Sequence, residues 1–507
     1  MEKSIFLQLT KEICLEDLVE RLPDFLGTKK TGSNLQELTL MDDYDWDIWH
    51  AGWLLLRNGK NELQLLEKGG KCYAQTPFID HQKFWWDLPA GVLAEKLEQM
   101  ISIRAFVPKF SFQLSTESFA LLNEDDKTVV RAETYSVRSQ DERYFRFVRL
   151  DPLRGYTKEY TQVLDPLMEV SWSLKHSSIR DLLEHADLNI DIPDSKPTFS
   201  LEPQEPAEAA VARMAAKMIQ LARHQEQGII DDIDTEFVHQ YRVNIRKTRS
   251  LISLFRKTLS PERYQLFKTE LKAISGQTNA LRDLDVFILD HDYYRNLLPE
   301  ILWPGFTQLF KRVRRQRAQA YRQVVGALQS EAYLEKISLL LRSLQSPPEL
   351  TSKQASLALK ALVSKKILAQ YRVIESDGNA IGPFTPDDAV HELRIECKKL
   401  RYLLELFAEL FPRRPVRQLV KHLKGLQDNL GRFNDFSVQQ EFLLHYSRGK
   451  TVSTEQLAAI NGLAAVLYNK QIHERGQVVE NTAAFLAPAV KELFHQLFKP
   501  SAKKVTQ

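Results

Sequence analysis

The sequence predicts an α+β protein of two domains: a β-rich barrel, then an all-α domain built from a duplicated four-helix bundle. Three observations predict it. Short alternating apolar–polar runs separated by turn signals fill the first part of the chain. After Glu208 the apolar period changes to about 3.6 residues and stays there almost to the end. The helical part also matches itself when shifted by 152 residues, His239 falling on His391. The boundaries are 1–176 for the β-rich domain, 177–205 for a linker and 206–497 for the helical domain. Within the last, the copies span about 206–345 and 355–497, and a tail follows at 498–507.

In chain order, "WLLLRNGKNELQLLEKGG" places Asn58-Gly59 between apolar runs, a hairpin signal. "AGVLAEKLEQMI" reads as a helix, and "FSFQLSTESFALLNEDDKTVVRAETYSV" and "ERYFRFVRL" as alternating strands. Such strands suit the wall of a barrel or a strongly curved sheet. "IDIPDSKPTFSLEPQEPAEAA" is rich in Pro, Ser and acids, a linker composition. Long helices follow, interrupted at "QSPPEL" and "SDGNAIGPFTPDD". In the last of these, Thr385 is the expected N-cap of the next helix, with Pro386 at its first position and Asp388 as acidic partner.

Bulk properties narrow the function classes. No apolar run is long enough to span a bilayer, and the N-terminus lacks a signal-peptide layout. Cys14, Cys72 and Cys397 have no CxxC spacing, which argues against a disulfide framework or a zinc cluster and for a reducing, cytoplasmic setting. The net charge of +3 hides an asymmetry. Residues 1–200 carry 24 Lys/Arg against 33 Asp/Glu, whereas residues 201–507 carry 45 against 33. A basic C-terminal part suits a polyanionic partner; the alternative is that the acidic and basic halves face each other.

The repeat locates the site. "FVHQYRVNIRKTRSLISLF" (237–255) lies on "AVHELRIECKKLRYLLELF" (389–407), and in the same register "LKAISGQTNALRDLDV" lies on "LKGLQDNLGRFNDFSV". His239, Arg242, Arg246, Lys247, Arg249 and Lys272 then match His391, Arg394, Lys398, Lys399, Arg401 and Lys424. At about 100° per residue, a His followed by cations three, seven and ten residues on falls within an arc of roughly 80°. The stripe is about 15 Å long. One such stripe is equally well a solvated face. Two matched stripes repeat the same like-charge cost, and a pair facing one cavity would be neutralised by a linear anion of many phosphates. Metal ligation is not expected, because the stripes offer cations where carboxylates or thiolates are needed.

The pattern H-x-x-R-x-x-x-[RK]-K-x-R, present twice and each time followed by an LK segment and an Asp-containing block, resembles the CHAD domain, the conserved histidine α-helical domain. The resemblance covers about Pro206 to Leu497. It implies two four-helix halves with pseudo-twofold symmetry around a basic cavity. The implied function is binding of inorganic polyphosphate, with association to polyphosphate granules and no established catalysis. The twelve matched residues above are the implied phosphate ligands; Arg213 and its repeat mate Lys365, with Arg315 and Arg322 of the basic helix "KRVRRQRAQAYR", are weaker candidates. Asp283 and Asp435 are expected to orient arginines or cap a helix.

CHAD domains often follow a CYTH domain, a β-tunnel that hydrolyses triphosphates with a divalent metal, and "YDWDIWHAGWLLLRNGKNELQLL" loosely resembles one of its segments. The family's Glu-x-Glu-x-Lys opening is replaced by Ser4, Phe6 and Gln8, and Phe110, Phe112 and Leu114 stand where basic ligands are expected. The N-terminal domain therefore reads as a degenerate, inactive CYTH-like barrel, with docking of a protein partner as its open role. Arg57 and Glu133 are either remnants of the old site or ordinary strand residues. The expectation is thus a non-enzymatic polyphosphate binder without cofactor, metal or membrane partner. The alternatives are a triphosphatase or polyphosphatase acting through the barrel, and an RNA-binding protein. The stripes carry no interleaved aromatics of the kind RNA recognition uses.

Overall fold

Asn58-Gly59 does reverse the chain, but through a three-residue loop. Strands β3 (Leu54–Asn58) and β4 (Glu62–Leu66) flank it, and the left-handed position is taken by Asn61 at φ 56°. The Asn58 side-chain oxygen accepts from the Lys60 and Glu62 amides and holds the turn closed. In this computed structural model the chain divides into two units, Met1–Pro197 and Thr198–Gln507. The structure describes residues 4–9, 25–140, 143–169, 171–174, 178–185, 199–350, 352–382, 384–448 and 452–499.

The first unit is one antiparallel sheet. Its further strands are β1 (Ile5–Leu9), β2 (Phe25–Asp42), β5 (Cys72–Pro77), β6 (Val107–Asn123), β7 (Thr128–Ser139), β8 (Tyr144–Pro152) and β9 (Ser171–Leu174). Their order is β5-β4-β3-β2-β6-β7-β8-β1-β9. Among the described residues β5 and β9 do not pair with each other, so the sheet is open and the expected closed barrel is corrected. Alternation reports that a strand buries a face; it carries no information on whether the first and last strands meet.

Both faces are covered, by helices α1 (Asp47–His50), α2 (Val92–Ile101), α3 (Thr157–Glu169) and α4 (Ile179–His185). Phe6 packs with Phe112, Leu114, Phe147, Trp49, Leu182 and Leu183, while its neighbour Leu7 joins Leu121, Val148, Tyr160 and Val163 in a separate cluster. Helix α4, which supplies Leu182 and Leu183, lies inside the segment 177–205 read as linker; residues 177 and 186–198 of that segment lie outside the described residues.

The second unit is helical throughout. Its first copy contains α5 (Ala207–Arg223), α6 (Glu226–Ile230), α7 (Thr235–Leu254), α8 (Pro261–Gln277), α9 (Asn279–Leu289), α10 (His291–Asn296), α11 (Trp303–Leu328) and α12 (Glu331–Gln345). The second contains α13 (Leu359–Asn379), α14 (Asp387–Leu406), α15 (Arg413–Ser447), α16 (Thr454–Phe485) and α17 (Pro488–Phe498). Helices α7 and α14 begin and end at matched repeat positions. Where α15 runs straight through, the first copy breaks at Thr278, between α8 and α9. Both copies exceed the expected four helices: the second has five, and the first has eight because it splits at Thr278 and adds the short helices α6 and α10. Phe498 ends α17 as a buried residue, and the tail beyond Lys499 lies outside the described residues.

Two contacts between repeat mates fix the pseudo-twofold axis. Pro206 and Ala358 form an antiparallel bridge, flanked by the reciprocal bonds Ala207 N to Leu357 O (3.0 Å) and Leu359 N to Glu205 O (2.9 Å). At the other ends of the stripe helices, the rings of Phe255 and Phe407 lie 5.3 Å apart. A residue that touches its own symmetry mate lies on the axis, so α7 and α14 converge there.

The start of α14 differs from its expected form. The helix begins at Asp387 with Pro386 as N-cap and no side-chain cap. Thr385 instead closes the preceding loop, accepting from Gly382 N at 2.8 Å. In the first copy the matched N-cap is Asp234, which accepts from the Glu236 and Phe237 amides.

Candidate functional site: a cationic cavity between the repeats

The convergence of α7 and α14 brings the two stripes to one cavity of about 530 Å³. The first copy contributes Arg246 and Arg249 from α7 and Lys268 and Lys272 from α8; the second contributes His391, Arg394, Lys398 and Lys399 from α14. No carboxylate lines it. Among the described residues, no side-chain hydrogen bond or ion pair engages Arg246, Lys268, Lys272 or Lys398.

The electrostatics cross the axis. Lys398 is pushed down to about 7, by burial first and then by Arg394 and Arg246; Asp435 pulls the other way, and Arg401 adds the smallest push. Burial also lowers Arg394, whose neighbours include Arg246 of the other copy and Asp435 at 3.8 Å. The Arg394 Nε is buried without a partner. Lys247 is lowered by burial, offset by Glu405 and reinforced by Arg401 and Arg246. Unpaired cations at this density are costly until an anion enters.

The remaining cations are held to different degrees. Arg242 donates to Thr278 Oγ1 (3.0 Å), Asn279 Oδ1 (2.6 Å) and the Ser275 carbonyl (3.3 Å), so it bridges the break between α8 and α9. Arg249 reaches Ser275 Oγ at 3.3 Å. Lys399 pairs with Glu396 at 2.5 Å, and Arg401 with Glu405 at 2.6 Å and Gln427 at 3.3 Å. His391 Nδ1 meets Asn434 Oδ1 at 2.5 Å; with Nδ1 as donor, Nε2 donates to a ligand only when the ring is protonated.

His239, Arg242, Lys247, Arg401 and Lys424 are not part of the cavity wall. Arg213 pairs with Glu205 at 2.9 Å and lines a separate hollow. Lys365 lies beside Lys366 on α13. Arg315 and Arg322 are exposed and also off the wall. The cation that α11 uses structurally is Arg317, which binds both oxygens of Asp232 at 2.6 Å and Asp285 at 2.9 Å.

Three features escaped the sequence reading. Lys268 precedes Lys272 by one turn of α8, so an i,i+4 search from Lys272 finds it. Arg282 is lowered by burial and by Arg246, against Glu236, Asp285 and Asp283, and its Nη1 is buried without a partner. It occupies the repeat position of Asn434, so the copies differ there and the match conceals it. Tyr264 and Tyr402 also line the cavity; Tyr402 follows Arg401 on α14 itself, so the expectation of stripes without aromatics is corrected for the second copy.

Among the described residues no group of three or more His, Cys, Asp or Glu could hold a metal ion. Among the described residues no helix is long and apolar enough to cross a membrane.

Two uncharacterized proteins of Mycobacterium tuberculosis, MT2285 and Rv2226, are each 24% identical over 247 residues, 48% of this chain and 46% of the relative. The chain thus spans about half the length of the curated relatives it matches. Among solved structures, the CHAD domain from the plant Ricinus communis is 20% identical with a TM-score of 0.48, covering 59% of this chain and 95% of that one. PptA from Streptomyces chartreusis is 16% identical with a TM-score of 0.41, covering 57% and 99%. The CHAD domain family model matches residues 212–444, and this stretch of the chain is a CHAD domain.

Proposed function

We propose that the helical unit binds inorganic polyphosphate in the cavity between its repeats, and that the protein acts by binding rather than by hydrolysis. One observation carries the reading: cations of both copies line a single cavity without a carboxylate. Arg and Lys together suit a chain of phosphates, the guanidinium as a fork and the ammonium as a point charge. Association with polyphosphate granules in the cytoplasm would follow from such binding. The N-terminal unit supports the non-hydrolytic reading, because Phe6, Phe112 and Leu114 are buried in an apolar core where a metal site would need carboxylates. Docking of a protein partner is the role we assign to that unit.

Long-chain polyphosphate should bind far more tightly than sulfate at the same low salt. Equal affinities would reject the reading. Phosphate release with magnesium or manganese, lost on removing function from the N-terminal sheet, would favour a hydrolase instead.

A second reading, nucleic-acid binding, draws on Tyr264 and Tyr402, which give a base something to stack on. Competition between polyphosphate and single-stranded RNA at matched salt separates the two. Displacement of bound polyphosphate by RNA at equal phosphate concentration would favour the second.

A further inference from the structure

The central cavity does not end in neutral surface. Tyr264 lines it and also lines a second hollow of about 550 Å³. The cations of that second wall are Arg256, Lys257 and Lys353. Arg256 and Lys257 belong to the single 3₁₀ turn after stripe helix α7, and Lys353 to the segment joining the two copies. Beside them on α13, Lys366 is lowered by burial and then by Lys257, Arg256 and Lys365. No acid is among the groups acting on it. Its ammonium lies 5.8 Å from the Phe255 ring centroid, which ties this cluster to the pseudo-twofold axis where the stripes converge.

Five cations from three segments are therefore gathered next to the central cavity, with Tyr264 common to both hollows. Grouping like charges in this way costs energy that an anion offsets. A short anion filling the central cavity would not reach them. A linear polyanion would leave the central cavity and need somewhere to run.

We propose that the Arg256–Lys257–Lys353 hollow is a second binding segment for linear polyphosphate, continuing the central site past Tyr264 and giving the protein a preference for long chains. This rests on the reading of the central cavity as a phosphate site.

The test compares tripolyphosphate with long-chain polyphosphate by calorimetry at fixed salt, using the full chain. The variant is Arg256→Gln/Lys257→Gln/Lys353→Gln. Arg256, Lys257 and Lys353 are exposed, and tripolyphosphate binding at the central cavity reports that the variant is folded. Removing three phosphate contacts should weaken long-chain binding by roughly tenfold or more and flatten its salt dependence, leaving tripolyphosphate within about twofold. Unchanged long-chain affinity would overturn the proposal, as would equal losses for both ligands. Wild-type protein that bound neither ligand would instead overturn the reading of the central cavity, a failure this design keeps distinct.

Discussion

Lys398 is the residue whose chemistry depends most on whether the cavity is filled. Burial and the cations Arg394, Arg246 and Arg401 hold it at about 7, so near neutral pH it is about half protonated in the ligand-free protein. A polyanion reverses the local charge and raises that value, so binding takes up a proton. Affinity for polyphosphate should therefore fall as pH rises above about 7, by up to tenfold per pH unit while the bound lysine stays charged. In Lys398→Arg the side chain remains protonated and this part of the pH dependence should vanish. A wild-type profile flat between about pH 7 and pH 9 would contradict the assignment. The same shift has the opposite sign for the ligand-free fold. The folded pKa lies below the unfolded one, so stability should increase as pH rises from about 7 towards the ordinary lysine value of 10.5.

Helix packing sets how closely the copies approach. Gly305, near the start of α11, meets the first turn of α16 so tightly that an added Cβ would fall 2.0 Å from the Glu455 carbonyl oxygen. Gly305→Ala should destabilise the helical unit by about 1–3 kcal/mol, read by chemical denaturation; an unchanged midpoint would show that the helices can part freely. The duplication was legible because one register serves α7 and α14 from end to end, and apolar residues such as Tyr241 and Leu393 mark the buried face opposite the cations. The use made of each cation was not legible. Arg242 and Arg394 are repeat mates, yet Arg242 is spent on the helix break at Thr278, a break that α15 lacks. Lys272 lines the cavity and Lys424 does not, although both are second residues of matched LK segments. Pseudo-symmetry in sequence predicts equivalent positions; local breaks and cross-copy packing decide which side chains share a wall. For the sheet, alternation marked the strands but not the pairing of their ends, so openness appeared only in the fold.

At the scale of the molecule, charge is partitioned by sequence: the acids exceed the cations in residues 1–200, and the cations exceed the acids thereafter. Polyphosphate binding should depend steeply on salt, since each phosphate contact releases a counterion. A polyphosphate binding constant that changes little between about 50 and 200 mM salt would show that the cations do not grip its phosphates.

The central claim is that the two stripes make one site. Calorimetric titration of tripolyphosphate into wild type, Arg246→Gln and Arg394→Gln tests it most directly, because Arg246 and Arg394 come from different copies and line the same cavity. One site per chain is expected in all three proteins, with affinity weakened in each variant. Two sites per chain in the wild type, with each substitution abolishing one and sparing the other, would show that the stripes act separately and would contradict it.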